Sequence, residues 1–103
     1  MARSRWRRRV TVRVEYTGQV RAAAGRHADE LEVDAGTSLG GLVATLAALG
    51  PPALRPHLLT ADGRIQPTLV VVVDGRAVPG DAREALVIGD HATVVLLPPV
   101  AGG

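Results

Sequence analysis

The sequence predicts an α+β domain in which a mixed sheet of four or five strands packs on one long helix. Three observations lead to this fold class. The chain has 103 residues, which is enough for one hydrophobic core and too few for two domains. Two early segments alternate apolar and polar residues, the period of a strand with one buried face. One central segment repeats its leucines at helical spacing instead.

The first two predicted strands lie at residues 10–16 and 30–34, where apolar and polar side chains alternate. Residues 19–25, between them, are predicted to form a short helical or irregular turn. The second strand carries a row of acidic residues. Alternation on an exposed strand face produces such a row without any chemistry, so we interpret it as a solvated face and not as a carboxylate site.

The long helix is predicted at residues 39–49, with Thr37 or Ser38 as its N-cap. The glycine pair at positions 40–41 costs a helix roughly 1 kcal/mol per glycine relative to alanine. We therefore expect these glycines to allow close packing against the sheet. Gly50 is the glycine expected just past a helix C-terminus, and the two prolines after it prevent continuation.

The second half of the chain contains shorter elements. Residues 54–59 predict a short helix or turn, and residues 69–73 form an apolar run typical of a strand buried on both faces. Asp74-Gly75 is a strong hairpin-turn signal, with residues 76–78 as the return strand. The last strand covers residues 92–97.

The apolar strands at residues 69–73 and 92–97 carry more apolar surface than one helix can cover, because a single helix covers one face of a sheet. Either the segment at residues 54–59 covers the second face or a partner protein does. Since that segment is short, the sequence favours a partner protein.

Charge is distributed unevenly along the chain. Five of the twelve arginines fall in residues 1–9, which we predict to be a disordered Arg-rich tail. The remaining residues hold seven arginines and ten acidic residues, so the body carries a net charge of −3. The positive total therefore belongs to the tail, and nucleic acid is not expected among the partners.

The residue inventory excludes most catalytic chemistry. The chain contains neither cysteine nor lysine, which removes thiolate metal sites, cysteine nucleophiles and Schiff-base lysines. His27, His57 and His91 are too far apart in sequence to suggest a metal pair. We predict no metal site and no enzyme activity. No segment resembles a signal peptide or a membrane helix, so a cytoplasmic protein without membrane contacts is expected.

The end of the chain is the one chemically suggestive segment. The last strand runs directly into two prolines, two small or branched residues and two glycines: Pro98, Pro99, Val100, Ala101, Gly102 and Gly103. The prolines hold this arm away from the sheet, and residues without side chains can thread a narrow enzyme channel. Its carboxylate becomes reactive only after conversion to a better leaving group such as an acyl-adenylate.

With this arm, the sequence resembles the MoaD/ThiS family of ubiquitin-like sulfur carriers, which have a β-grasp fold. The resemblance rests on residues 10–25, on Gly36-Thr37-Ser38 at the entry to the helix, on residues 72–76, and above all on residues 89–103. It implies a β-grasp domain at residues 10–97 and a flexible Gly-Gly arm at residues 98–103. His91 departs from the family, which commonly has an acid there.

The resemblance also implies a function. The Gly103 carboxylate would be adenylated with ATP by a separate enzyme of the ubiquitin-activating type and then converted to a thiocarboxylate that donates sulfur. The carrier itself would bind no cofactor, and Pro98, Pro99, Val100, Ala101 and Gly102 would contact the partners. The carrier would be a protein substrate and not a catalyst, and sulfur on the C-terminus would need no thiol of its own.

The resemblance leaves several acceptors open. Pro98-Pro99-Val100 is most similar to the small subunit of molybdopterin synthase, so we place sulfur delivery to molybdopterin first, with the large subunit of that synthase as partner. The long stretch at residues 54–68 resembles carriers for cysteine biosynthesis, whose partner would be a cysteine synthase. Carriers for thiamine rank third. A ubiquitin-like modifier, joined to target lysines through Gly103, and a plain binding domain that uses the apolar sheet face are the alternatives from other classes.

Overall fold

The computed structural model describes residues 8–99. In this range the elements are, in chain order, β1 (Arg9–Tyr16), α1 (Gly18–Ala24), β2 (Ala28–Asp34), α2 (Leu39–Leu49), α3 (Arg55–Leu58), β3 (Val70–Val73), β4 (Arg76–Ala77), α4 (Gly80–Arg83) and β5 (Ala92–Leu97). The predicted disorder of residues 1–9 falls almost wholly outside the described range, and of the arm predicted to be flexible, residues 98–103, only Pro98 and Pro99 lie inside it. None of the helices in the described range is long and apolar enough to cross a membrane.

The five strands form one mixed sheet in the order β2-β1-β5-β3-β4. β1 and β5 are parallel, and every other neighbouring pair is antiparallel. This arrangement confirms the predicted α+β class and the mixed sheet. It also makes β5 a central strand, hydrogen-bonded to β1 on one side and to β3 on the other.

One face of the sheet packs on α2 and forms the core. Alternate residues of β1 and β5 point into it, as the period of two predicts, and α2 contributes its leucine stripe. The short helix α3 lies on this same side, because Leu54, Leu58 and Leu59 are buried in the core cluster. The segment at residues 54–59 therefore seals the core and does not cover the opposite face of the sheet.

The acidic row of β2 is solvated as predicted, with one exception. Glu30 and Glu32 are exposed, but Asp29 is partly buried on the other face. Its carboxylate accepts hydrogen bonds from the Tyr16 hydroxyl (2.7 Å) and from the Arg26 guanidinium (2.8 Å). Burial, together with this bond to Asp29, raises the pKa of Tyr16 above its ordinary value, so the phenol remains a donor.

The N-terminus of α2 matches the prediction, whereas its C-terminus differs in one detail. Ser38 is the N-cap, and its hydroxyl accepts a hydrogen bond from the Gly41 amide at 3.1 Å. Gly50 ends the helix, but its backbone is extended (φ −85°) and not left-handed as is typical for a glycine after a helix. The position requires glycine because there is no space for a side chain: a Cβ there would lie 2.7 Å from Leu54 Cδ2.

The glycine pair in α2 does not pack against the sheet, so that prediction is wrong. A Cβ at Gly40 would lie 2.5 Å from Glu84 Oε1 and 3.0 Å from the Glu84 carbonyl oxygen. The Gly40 amide donates to that carbonyl at 3.1 Å, so the segment after α4 satisfies an amide that the first turn leaves open. Gly41 is exposed and makes only ordinary contacts.

The second half of the domain contains a confirmed hairpin and an unpredicted helix. Asp74 (φ 51°) and Gly75 (φ 85°) both have positive φ, as a type I′ turn requires. Sequence patterning does not predict α4, because four residues show no helical period. Arg83, at its end, is 5% exposed, and its guanidinium donates to the carbonyls of Leu69 and Gln66. This buried arginine therefore orders the stretch before β3.

Candidate functional site at the base of the C-terminal arm

The base of the C-terminal arm is fixed by the parallel pairing of β1 and β5. Parallel strands end at the same edge of a sheet, and here Tyr16 pairs with Leu96. The next residue, Thr17, donates to the Leu96 carbonyl through its backbone amide (3.3 Å) and its hydroxyl (3.2 Å). The side chain of Leu96 is fully buried. The arm therefore leaves the domain from a rigid position.

Gly18 packs directly beneath the first proline of the arm. Its φ is +54°, and a Cβ there would lie 2.9 Å from Pro98 Cγ. Glycine meets both the conformational and the spatial requirement. Pro98 is partly buried, whereas Pro99 is exposed. Of the predicted partner-binding residues, the structure thus places the first against α1 and the second in solvent.

The remaining predicted site residues, Val100, Ala101, Gly102 and Gly103, lie outside the described range. Their roles stay predictions. What the structure adds is the geometry of the point from which they extend.

An apolar patch lies on the open face of the sheet, next to the base of the arm. Register pairs Val70 with Leu97 and Val72 with Val95, so these four side chains share the face opposite the core. Val70 is 43% exposed and the other three are partly buried. Leu97 immediately precedes Pro98, so the apolar patch, as we call these four residues, is continuous with the arm. The sequence expectation that some apolar sheet surface is left uncovered matches this arrangement.

The opposite end of β5 is tied to β1 through Asp90 and His91. Asp90 Oδ1 accepts a hydrogen bond from the Thr11 amide at 2.8 Å, and the His91 amide donates to the Thr11 carbonyl at 2.7 Å. The bond from Thr11 holds the pKa of Asp90 below its ordinary range. The His91 imidazole is exposed. Asp90 therefore sets the register of the strand that leads to the arm.

Conventional catalytic groups are not assembled in the described part of the chain. Between residues 8 and 99, no three His, Asp or Glu side chains lie close enough together to hold a metal ion. Ser38 is engaged in capping α2.

Sequence patterning missed the role of Gly18. Thr17-Gly18 ends the alternation of β1, and nothing in one sequence tells which strand lies beside that end. A glycine directly after a strand is a signal for a special backbone position. Its partner, Pro98, becomes visible only from the parallel pairing of β1 with β5.

Comparison with known proteins supports the fold and identifies a family. The model of the ThiS family matches residues 14–103. No curated protein sequence matches the chain. Among solved structures, SAMP1 from Haloferax volcanii is similar, with 22% identity and a TM-score of 0.78 over 90% of this chain and 99% of that one.

Two further solved structures have the same fold. A putative molybdopterin converting factor, subunit 1, from Pyrococcus furiosus shares 21% identity, with a TM-score of 0.70 over 88% of this chain and 99% of that one. CysO from Mycobacterium tuberculosis shares 23% identity, with a TM-score of 0.63 over 86% of this chain and 99% of that one. The predicted ubiquitin-like β-grasp fold is confirmed. The chain belongs to the ThiS family, whose members are small ubiquitin-like sulfur carriers and modifiers.

Proposed function

We propose that this chain carries sulfur as a thiocarboxylate on Gly103 and acts as a protein substrate, not as a catalyst. The observation that carries the proposal is the arm. It leaves a central strand at a point fixed by Thr17 and Gly18, and its sequence ends in two glycines. A rigid base combined with a slender end suits delivery of a terminal carboxylate into the active site of another protein.

The chemistry requires activation of that carboxylate. A carboxylate oxygen of Gly103 attacks the α-phosphorus of ATP on a separate adenylating enzyme, and the bond to the β-phosphate breaks with loss of pyrophosphate. Hydrosulfide ion from the sulfur source then attacks the acyl carbon, AMP leaves, and loss of the sulfur-bound proton gives the thiocarboxylate. ATP binds to the activating enzyme, and this chain holds no cofactor. Because activation consumes ATP, we place the carrier in the cytoplasm.

Partner docking is assigned to the apolar patch together with the arm. Members of the family work with activating enzymes and sulfur-accepting synthases. An enzyme that covers the patch removes half-exposed valine and leucine surface from water, at about 25 cal/mol per Å². It also receives the arm directly, because Leu97 belongs to the patch and Pro98 begins the arm. Pro99, Val100, Ala101 and Gly102 then occupy the channel of the enzyme, and Gly103 reaches its active site.

The first candidate acceptor of the sulfur is the precursor of molybdopterin. The sequence of the arm, Pro98-Pro99-Val100, resembles the small subunit of molybdopterin synthase, and the Pyrococcus furiosus protein of the same fold is named as a molybdopterin converting factor. The acceptor complex would contain the large subunit of that synthase.

Cysteine biosynthesis is the second candidate acceptor pathway. The long stretch before β3 supports it, together with the similarity to CysO. That stretch is ordered by Arg83 and by Glu84, whose carboxylate accepts from the Ile65 amide at 2.6 Å. The partner would be a cysteine synthase. A thiamine carrier ranks after these two.

A protein modifier is the candidate from another class. A solved structure of the same fold is named as the small archaeal modifier protein 1 of H. volcanii, with a TM-score of 0.76. In that case the adenylated Gly103 is attacked by a lysine amine of a target protein, AMP leaves, and an amide bond forms. Both candidates share the activation step and differ in the nucleophile.

Intact-mass spectrometry tests the proposal. The full chain is incubated with its activating enzyme, ATP and a sulfur source, and we expect the mass gain that accompanies exchange of one oxygen for sulfur at Gly103. A variant that lacks Gly103 is the control. It should unfold like the wild type and gain no sulfur.

Covalent adducts on other proteins, without sulfur exchange, would favour the modifier. If the enzyme adenylates the chain but the mass does not change, the sulfur-carrier proposal is wrong. Supplying the thiocarboxylated chain to molybdopterin synthase and to cysteine synthase, each with its precursor, then separates the pathways.

A further inference from the structure

A cationic cleft lies beside the base of the arm and has no role in the fold or in the chemistry above. It has a volume of about 470 Å³ and opens to solvent between α1 and the turn that leads to β2. Six residues line it: Gly18, Arg21, Ala22, Gly25, Arg26 and His27. Three of them carry basic side chains. The cleft therefore joins a concave shape to positive charge.

Arg21 supplies the unneutralised charge of the cleft. Its Nη2 lies 2.9 Å from His27 Nε2. Since a guanidinium has no acceptor, Nε2 is the acceptor in this contact. Within residues 8–99, no carboxylate lies within 4.0 Å of the Arg21 guanidinium. His27 thus orients the Arg21 side chain and leaves its charge in place.

Arg26, on the other wall, is already paired. Its guanidinium donates to Asp29 Oδ1 at 2.8 Å, and Asp29 Oδ2 accepts from the Tyr16 hydroxyl at 2.7 Å. Both oxygens of this carboxylate are therefore engaged by partners other than Arg21. The cleft holds one exposed guanidinium that is free to take an anion, with a second guanidinium nearby.

The position of the cleft links it to the arm. Gly18 lines the cleft and also packs against Pro98. Arg21 is three residues further along α1, a rise of about 4.5 Å. A protein that grips the arm therefore reaches Arg21 without any movement of the domain.

We propose that the cleft binds an acidic segment of the enzyme that receives the arm. A carboxylate of that segment accepts a charge-assisted, bidentate pair of hydrogen bonds from Arg21, and His27 holds the guanidinium in place. This inference rests on the proposed function, because it takes the partner to be the enzyme that acts on Gly103.

The chemistry favours an acidic protein segment over a nucleic acid. Binding to a phosphate backbone gains affinity from many cation contacts along the chain. This cleft offers one unpaired guanidinium, and the neighbouring strand exposes Glu30 and Glu32, which repel an extended polyanion. A single carboxylate, presented by a folded partner, matches the available donors.

The first experiment uses the full chain alone, with a terminally blocked peptide that carries a single glutamate as the probe. We expect the peptide to shift the NMR signals of the His27 ring, and Arg21→Glu or Arg21→Gln to weaken the affinity read from those signals by about tenfold or more. Arg76→Glu makes the same charge change on exposed strand β4 and should leave the affinity unchanged. An equal loss in Arg76→Glu, or binding of inorganic phosphate as tight as that of the peptide, would overturn the proposal.

The second experiment separates this inference from the proposed function. With the activating enzyme, Arg21→Gln should raise the carrier concentration at half-maximal adenylation about tenfold and leave the maximal rate unchanged. If the carrier concentration at half-maximal adenylation is unchanged in this variant, the cleft proposal is wrong and the proposed carrier function is unaffected. If the wild-type chain is not adenylated, the proposed carrier function is wrong, and the result of the peptide-binding experiment at the cleft is unaffected.

Discussion

Replacing Gly18 by alanine tests whether this residue supports the arm. Gly18 has φ +54°, and an L-residue in the left-handed region costs about 1–2 kcal/mol. The new Cβ would also lie 2.9 Å from Pro98 Cγ. Overpacking costs about 1–3 kcal/mol, and we take about 1 kcal/mol because Pro98 is only partly buried and can shift. The expected loss in the free energy of unfolding is therefore about 2–3 kcal/mol.

Gly63→Ala is the matched control for this substitution. Gly63 also has a positive φ (+84°), but no atom lies within 4 Å of its virtual Cβ. It should lose only the backbone contribution of about 1–2 kcal/mol. Urea unfolding of both variants, followed by circular dichroism, measures the difference.

A displaced Pro98 also changes the direction in which the arm leaves the domain. We therefore expect Gly18→Ala, unlike Gly63→Ala, to slow sulfur loading at Gly103 in the mass assay. Equal stability losses and equal loading rates for the two variants would refute the idea that Gly18 positions the arm.

Two further predictions concern the glycine pair of α2 and the anchor of β5. Gly40→Ala should lower the free energy of unfolding by about 1–3 kcal/mol because its Cβ would clash with Glu84. Gly41→Ala should raise the free energy of unfolding by about 0.5–1 kcal/mol, because alanine favours the helix and its Cβ makes only ordinary contacts. Urea unfolding measures both variants, and a loss of stability in each would contradict the assigned packing. Asp90 has a lowered pKa in the folded chain, so its stabilising effect is present above the ordinary carboxyl pKa near 4 and is lost as the pH falls through the folded value. The stability difference between wild type and Asp90→Ala should therefore shrink on acidification from pH 7 to below about pH 4, and a difference that does not change with pH would count against this role.

The regular elements could be predicted because their signals are local. Alternation along β1 and β2, leucine spacing along α2 and the Asp74-Gly75 turn each depend on neighbours within a few residues. The structure confirms all of them. The end of the chain also carries a local signal, two prolines followed by two glycines, and its role stays a prediction.

What could not be predicted depends on contacts between distant residues. Gly40 is required by Glu84, which follows it by more than forty positions, and Arg83 is buried because two distant carbonyls need a donor. The contact of Gly18 with Pro98 arises from parallel pairing, which leaves no periodic trace. The cleft at Arg21 likewise forms only when α1 and the following turn fold against each other.

The central place of β5 in the sheet has a mechanical consequence. A pull on the arm is directed along β5, so it acts in shear on two hydrogen-bonded ladders at once, one with β1 and one with β3. Many bonds then resist together, instead of opening one after another as they would at a peeled edge strand. The domain therefore withstands a pull on this strand that would detach a strand at the edge of the sheet.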